Sequence, residues 1–330
     1  MQKSVSAILE NRLVKAVLPF TILIAVFAIL WIFVPTFRSS DNISQVLLAA
    51  SVYVMLAMGM TFIMVGGCID LSMGSIVGLA GGVCLMVLRY WQAPLWVGIL
   101  AGVIAGMLCG VVNGFMVTKM GLISFIATLG SMWIFRGVWQ LVSGGMTVTI
   151  RRAVPKDVEA SLTWLGSGRI VGPLPVAVAI FLILAVILSF ILRRTTFGRS
   201  LYAVGSNPEA ARMSGISNKW TIFKSFVLAD ALAGFAGVLL AARMVSVQSN
   251  SGEGYEFEGI FASVVGGTSM AGGEGTVFGA LAGACVVALL RNGLNLCRVN
   301  SFWQRVILGV IIVLVVYIDT LRTRKSRGAV

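Results

Sequence analysis

Apolar runs of about twenty residues, parted by short polar or glycine-rich interruptions, fill most of this 330-residue chain. They lie at residues 17–34, 43–65, 73–88, 95–118, 122–142, 174–192, 221–242 and 302–319, and residues 259–296 hold two further segments broken by glycines. A helix crosses the roughly 30 Å hydrocarbon core of a bilayer with about 20 such residues. The pattern therefore predicts an all-α polytopic membrane protein, a single domain over residues 1–330 with about ten transmembrane helices. The first run follows Lys3, Arg12 and Lys15, as the core of a signal peptide would. It is too long for one and no small-residue cleavage site follows, so it counts as a span.

Composition strengthens this picture: 58% of residues are hydrophobic and 11% are charged, against roughly 25% charged in soluble domains. A formal net charge of +13 would suggest nucleic acid in a soluble protein. In a membrane bundle it points instead to basic loops beside anionic lipid, and no nucleic-acid partner is expected. Twelve of the 25 basic residues fall in the N-terminal tail, in the 193–220 loop (Arg193, Arg194, Arg199, Arg212, Lys219) and in the C-terminal tail (Arg322, Arg324, Lys325, Arg327). An even span count puts all three on one side, the cytoplasm. Residues 144–172 then face outside, and both a docking surface for a soluble partner and a solvated connection fit their mixed charges.

Absent residues narrow the chemistry. Without histidine there is no Ser-His-Asp arrangement and no ordinary zinc site. No Gly-Lys dipeptide occurs, so there is no Walker A loop. The five cysteines form no C-x-x-C pair and read as small buried hydrophobes. No catalytic residue, metal ligand or cofactor is expected in this chain.

Glycine is the second strong pattern. Gly98, Gly102, Gly106, Gly110 and Gly114 recur every fourth residue and form one smooth helix face, which lets another backbone approach closely. Gly66 and Gly67, followed by Gly74, Gly78 and Gly82, are echoed by Gly266, Gly267 and Thr268, followed by Gly275, Gly279 and Gly283. Paired glycine-broken segments of this kind point to an internal repeat and to a translocation path or gate. The span count puts both breaks on the same face; an inverted repeat would need one of them to be re-entrant.

Few polar groups interrupt the spans. Asp70 lies between two runs and reads as a cap for the helix that starts near Ser72, or as a contact on the path. Asp230 is the most deeply placed carboxylate, and Arg136 is a partner for it by charge alone. Glu253, Glu256 and Glu258 read as a solvated acidic loop rather than a catalytic cluster. In the basic loop, Asn207 and Pro208 form a helix start and Gly215 a stop around Glu209, Ala210 and Ala211. That short helix is placed to dock into another protein.

Glu209, Ala210, Ala211 and Gly215 resemble the E-A-A-x-x-x-G core of the cytoplasmic loop in permease subunits of binding-protein-dependent ABC importers. The later isoleucine and leucine-proline of that longer motif are absent here. Gly59, Met60 and Thr61, with Gly66, Gly67, Cys68, Ile69, Asp70, Leu71, Ser72, Gly74 and Ser75, resemble the G-M-T…G-I-D-L-S-x-G-S segment of ribose-type sugar permeases. A cysteine stands where that segment has a small residue. The likeness runs from about residue 37 to residue 316. It implies a bacterial inner-membrane subunit that pairs with a second permease chain and passes a monosaccharide. It further implies an ATP-binding cassette subunit that binds ATP and Mg and docks on the 193–220 loop, and a periplasmic sugar-binding protein on the outer face. The competing reading is an autonomous ion-coupled carrier of a small polar solute. That would need ionisable groups in several spans, and only Asp230 and Asp70 qualify.

Overall fold

A computed structural model describes residues 12–317 except 173, 308, 312, 315 and 316. The basic residues of the two tails, apart from Arg12 and Lys15 at the start of the first helix, lie outside the described residues, as does the end of the last expected span. The helices are α1 (Arg12–Phe33), α2 (Ser40–Val65), α3 (Met73–Tyr90), α4 (Leu95–Thr118), α5 (Ser124–Ser143), α6 (Lys156–Ser167), α7 (Val176–Arg194), α8 (Thr196–Ser206), α9 (Pro208–Met213), α10 (Asn218–Met244), α11 (Tyr255–Val265) and α12 (Val277–Leu296). Seven of them, α2 to α5, α7, α10 and α12, are long and apolar enough to cross a membrane. Shorter apolar helices at Val17–Phe33 and Ser301–Ile311, together with α11, stand at the other three expected positions. At 1.5 Å per residue the 11 residues of α11 reach only about 16 Å, half a bilayer.

Helix α2 is the axis of the bundle, and every residue from Ala50 to Val65 is buried. It packs against α10, α11 and α12. Its side chains lack the polar face of a surface helix because neighbours surround it. The glycine face of α4 lies against α3 and α10: a Cβ at Gly102 would strike Val238 and Ala80, and one at Gly106 would strike Asp230 and Gly234. Close packing is what these glycines permit. The opposite face of α4, with Leu100, Ile104, Leu108, Val112 and Phe115, is exposed and suits lipid.

Two small ladders fix the ends. Strand β1 (Val148–Thr149) pairs antiparallel with β4 (Ser246–Val247), joining the loop after α5 to the end of α10. Strands β2 (Arg169–Val171) and β3 (Leu174–Pro175) pair ahead of α7. Arg169 also bonds Asp41 at 2.8 Å, so the 144–172 region meets the start of α2. The α8–α9 region meets the other end of α2, at Val65. The two long connections therefore occupy opposite ends of the bundle.

Candidate translocation and coupling site

The two glycine breaks fold alike. After α2, Gly67 takes φ +80°, its N–H donates to Met64 O (2.8 Å), and Cys68 N–H donates to Ile63 O (3.1 Å). After α11, Gly267 takes φ +86°, its N–H donates to Val264 O (2.9 Å), and Thr268 N–H donates to Ser263 O (2.9 Å). Both are glycine-terminated helix ends of the same type, with bonds reaching back five and three residues. The preceding helices run parallel. Tyr53 meets Tyr255 edge-on with ring centroids 5.5 Å apart, Ser263 Oγ donates to Ala57 O (2.9 Å), and the Thr61 and Thr268 hydroxyls lie 3.3 Å apart. The echo in the sequence is thus a parallel structural one, with both breaks at one end. They touch, since Gly273 N–H donates to Val65 O at 2.9 Å.

Helix α8 closes over both breaks. Thr195 caps it by accepting from Gly198 N–H (3.2 Å), and Leu201 and Val204 bury its inner face. Gly205 packs its bare backbone on Val65, Gly67, Gly272 and Gly273, and a Cβ there would collide with the Val65 carbonyl. Tyr202 donates its hydroxyl to Gly275 O (2.5 Å). Burial pushes that phenol up from its ordinary range and Arg193 pulls it part of the way back. One element therefore grips both breaks at their tips.

Next to it, Asn207 accepts from Glu209 N–H (3.1 Å) and Ala210 N–H (3.0 Å), the geometry of an N-cap. Pro208 opens α9 and Gly215 ends the turn with φ +80°. Ala211 is buried, while Glu209, Ala210 and Arg212 are exposed. Met213 is 83% exposed, and Trp220 just beyond is 56% exposed. The loop thus presents a rigid tip with apolar side chains facing outward.

Asp70, Ser72 and Asp230 come together within the bundle, all fully buried. Asp70 Oδ1 accepts from Ser72 N–H and Ser72 Oγ, each at 2.7 Å, which closes a turn on the residue just ahead of α3, while the helix itself has no side-chain cap. Asn113 of α4, also fully buried, donates its amide to Ser72 Oγ (2.8 Å) and to Asp230 Oδ2 (2.8 Å), with Asp70 Oδ2 at 3.3 Å. Thr128 of α5 takes the Leu71 N–H at 3.1 Å. The segment after the first break is thereby bolted to α4, α5 and α10.

Two expectations change. Asp230 is met by Asn113, not by Arg136, which faces Glu256 from α5. Nor are the three glutamates a solvated loop: only Glu253 is exposed, and Glu256 and Glu258 are buried in the first turn of α11. Glu258 pairs with Arg291 of α12, and Glu256 sits where a side chain on Gly74 would be. Asn113 is not among the residues that the sequence singles out. Asn113 is the sole asparagine of its apolar run and lies beside the glycine face, a signal that was there to read.

Residues 42–316 match the family described as "Branched-chain amino acid transport system / permease component". The chain belongs to this family. It is 40% identical to the probable ABC transporter permease protein YphD of Escherichia coli (strain K12) over 93% of this chain and 91% of that protein. The ribose import permease protein RbsC of Bacillus subtilis (strain 168) is 38% identical over 91% of each chain. The L-arabinose transport system permease protein AraH of Escherichia coli (strain K12) is 36% identical over 92% of each. No solved structure matches the chain. Family membership makes this a transporter permease, and among the described residues no group of three or more Cys, Asp or Glu could hold a metal ion.

Proposed function

We propose that the chain is the membrane-spanning subunit of an ABC importer that passes a monosaccharide of the pentose class across the bacterial inner membrane. A separate ATP-binding cassette subunit, holding ATP and Mg, docks on Asn207, Pro208, Glu209, Ala210, Ala211 and Gly215. A periplasmic sugar-binding protein delivers solute at the opposite end, and a second permease chain completes the path. The N- and C-termini lie with the docking loop in the cytoplasm.

The observation that carries this reading is the seat of Gly205 on both glycine breaks. A push on the exposed α9 tip reaches α8, and through Gly205 it reaches Val65 and Gly272 together. Gly66, Gly67, Gly266, Gly267 and Thr268 then form the moving gate, with Asp70 and Ser72 as its fixed anchor. Arg136, on the outer side of that anchor, is a polar group that the solute passes. The sugar assignment rests on the printed substrates of relatives, ribose and L-arabinose, in preference to the amino acids in the family description. Proteoliposomes holding the permease, its ATPase and its binding protein test it. Ribose or arabinose uptake that needs ATP is expected. Uptake of leucine in its place, or sugar uptake by the chain alone on a proton gradient, overturns the proposal.

A further inference from the structure

The Asp70–Asp230 cluster is one hydrogen short of satisfaction. Asp70 and Asp230 are both wholly inaccessible to solvent, and their Oδ2 atoms crowd one nitrogen, that of the Asn113 amide, at 3.3 and 2.8 Å. Two carboxylates have no hydrogen between them, so an approach this close is repulsive unless one is protonated. The nearby donors do not fill the gap. Ser72 spends its N–H and its hydroxyl on Asp70 Oδ1. The Asn113 amide has two hydrogens, and its two short contacts, both 2.8 Å, go to Ser72 Oγ and Asp230 Oδ2. Asp70 Oδ2 is left with a 3.3 Å contact to an amide already committed. Asp230 Oδ1 and Asn113 Oδ1 are buried with no partner at all.

No cation relieves the pair. Among the described residues no arginine or lysine is bonded to either carboxyl group. The groups that face it are Ser72 at the start of α3, Asn113 and Cys109 from α4, and Thr128 from α5 through the Leu71 backbone. Two bare charges this deep would each lose their hydration with no opposite charge to offset it. A single charge on Asp70, bonded by Ser72 at the positive end of α3, is tolerable.

We infer that Asp230 holds a permanently bound proton at neutral pH and donates it to an ionised Asp70, forming an acid–carboxylate bolt between α10 and the segment after the first glycine break. Asp70 is the ionised partner because it receives the Ser72 donors; Asp230 is the acid because it receives fewest. The site is a buried proton-binding site independent of which solute is carried.

Infrared spectroscopy of the full-length chain in lipid nanodiscs, with aspartate side-chain carboxyls labelled with carbon-13, tests this without interference from glutamates. At pH 7.5 the wild-type protein is expected to show a carbonyl band of a protonated, non-aqueous aspartic acid that carries the isotope shift. Asp230→Asn should abolish the band and Asp70→Asn should retain it. Asp230→Asn keeps a donor toward Asp70 and is expected to melt within a few degrees of wild type, whereas Asp230→Ala melts distinctly lower. Absence of the band in the wild type overturns the inference, whatever the variants do. A band that survives in Asp230→Asn, or is lost only in Asp70→Asn, also overturns it.

Discussion

Asn113 interrupts an otherwise apolar helix, and its amide is the sole donor to Asp230 among the hydrogen bonds of the bolt. Replacing it by leucine keeps the number and branching of the side-chain heavy atoms and removes both short bonds, leaving buried polar atoms unpaired. Asn113→Leu is expected to cost about 2–3 kcal/mol, read as a lower melting temperature in detergent. Asn207 works at the surface, where it caps six residues of helix. Asn207→Ala should loosen α9 by about 1 kcal/mol and leave the melting temperature of the bundle unchanged. Its effect should appear as weaker stimulation of ATP hydrolysis in the assembled complex. Asp70, Asp230 and Asn207 stand out in the sequence because each is a polar or capping residue against an apolar or helical background. That Asp70 meets Asp230 was not legible, since 160 residues separate them and charge alone suggested Arg136.

The glycine-faced helices show what periodicity does and does not reveal. Spacing by four in α4 correctly implies a flat face, and the structure supplies its partners, α3 and α10. At Gly106 a Cβ would strike the Asp230 and Gly234 backbone, while at Gly130 of α5 nothing lies within 4 Å. Gly106→Ala should therefore destabilise the chain by about 1–3 kcal/mol through overpacking. Gly130→Ala should be neutral or gain up to about 1 kcal/mol from helix propensity. Thermal unfolding of the two variants side by side checks both. Element lengths are less legible. Hydropathy counts the first segment of 259–296 as a span, but α11 begins earlier, at Tyr255, and ends at Val265 after 11 residues, and an irregular chain leads into it from β4. Glu256 is buried because that chain packs on α3, where Gly74 and Gly78 leave room for Glu256 and Ser251, and Glu258 is buried against Arg291 of α12.

Across the whole molecule, the two long connections lie at opposite ends, with Asp41–Arg169 at one end of α2 and Val65–Gly205 at the other. In a cysteine-free background, Glu209→Cys and Lys156→Cys should react with a membrane-impermeant maleimide from opposite sides of the vesicle. Labelling of both from one side would refute the topology. The membrane class and the repeat were legible because hydropathy and glycine spacing are local signals. The grip of α8 on both breaks was not, because it depends on a glycine that looks like any other in a basic loop. That grip is the centre of the account, and Gly205→Leu in the reconstituted importer tests it most directly. With sugar uptake and ATP hydrolysis measured together, uptake is predicted to fall to the passive leak while basal hydrolysis persists without stimulation by the loaded binding protein. Uptake at the wild-type rate with normal stimulation would contradict it.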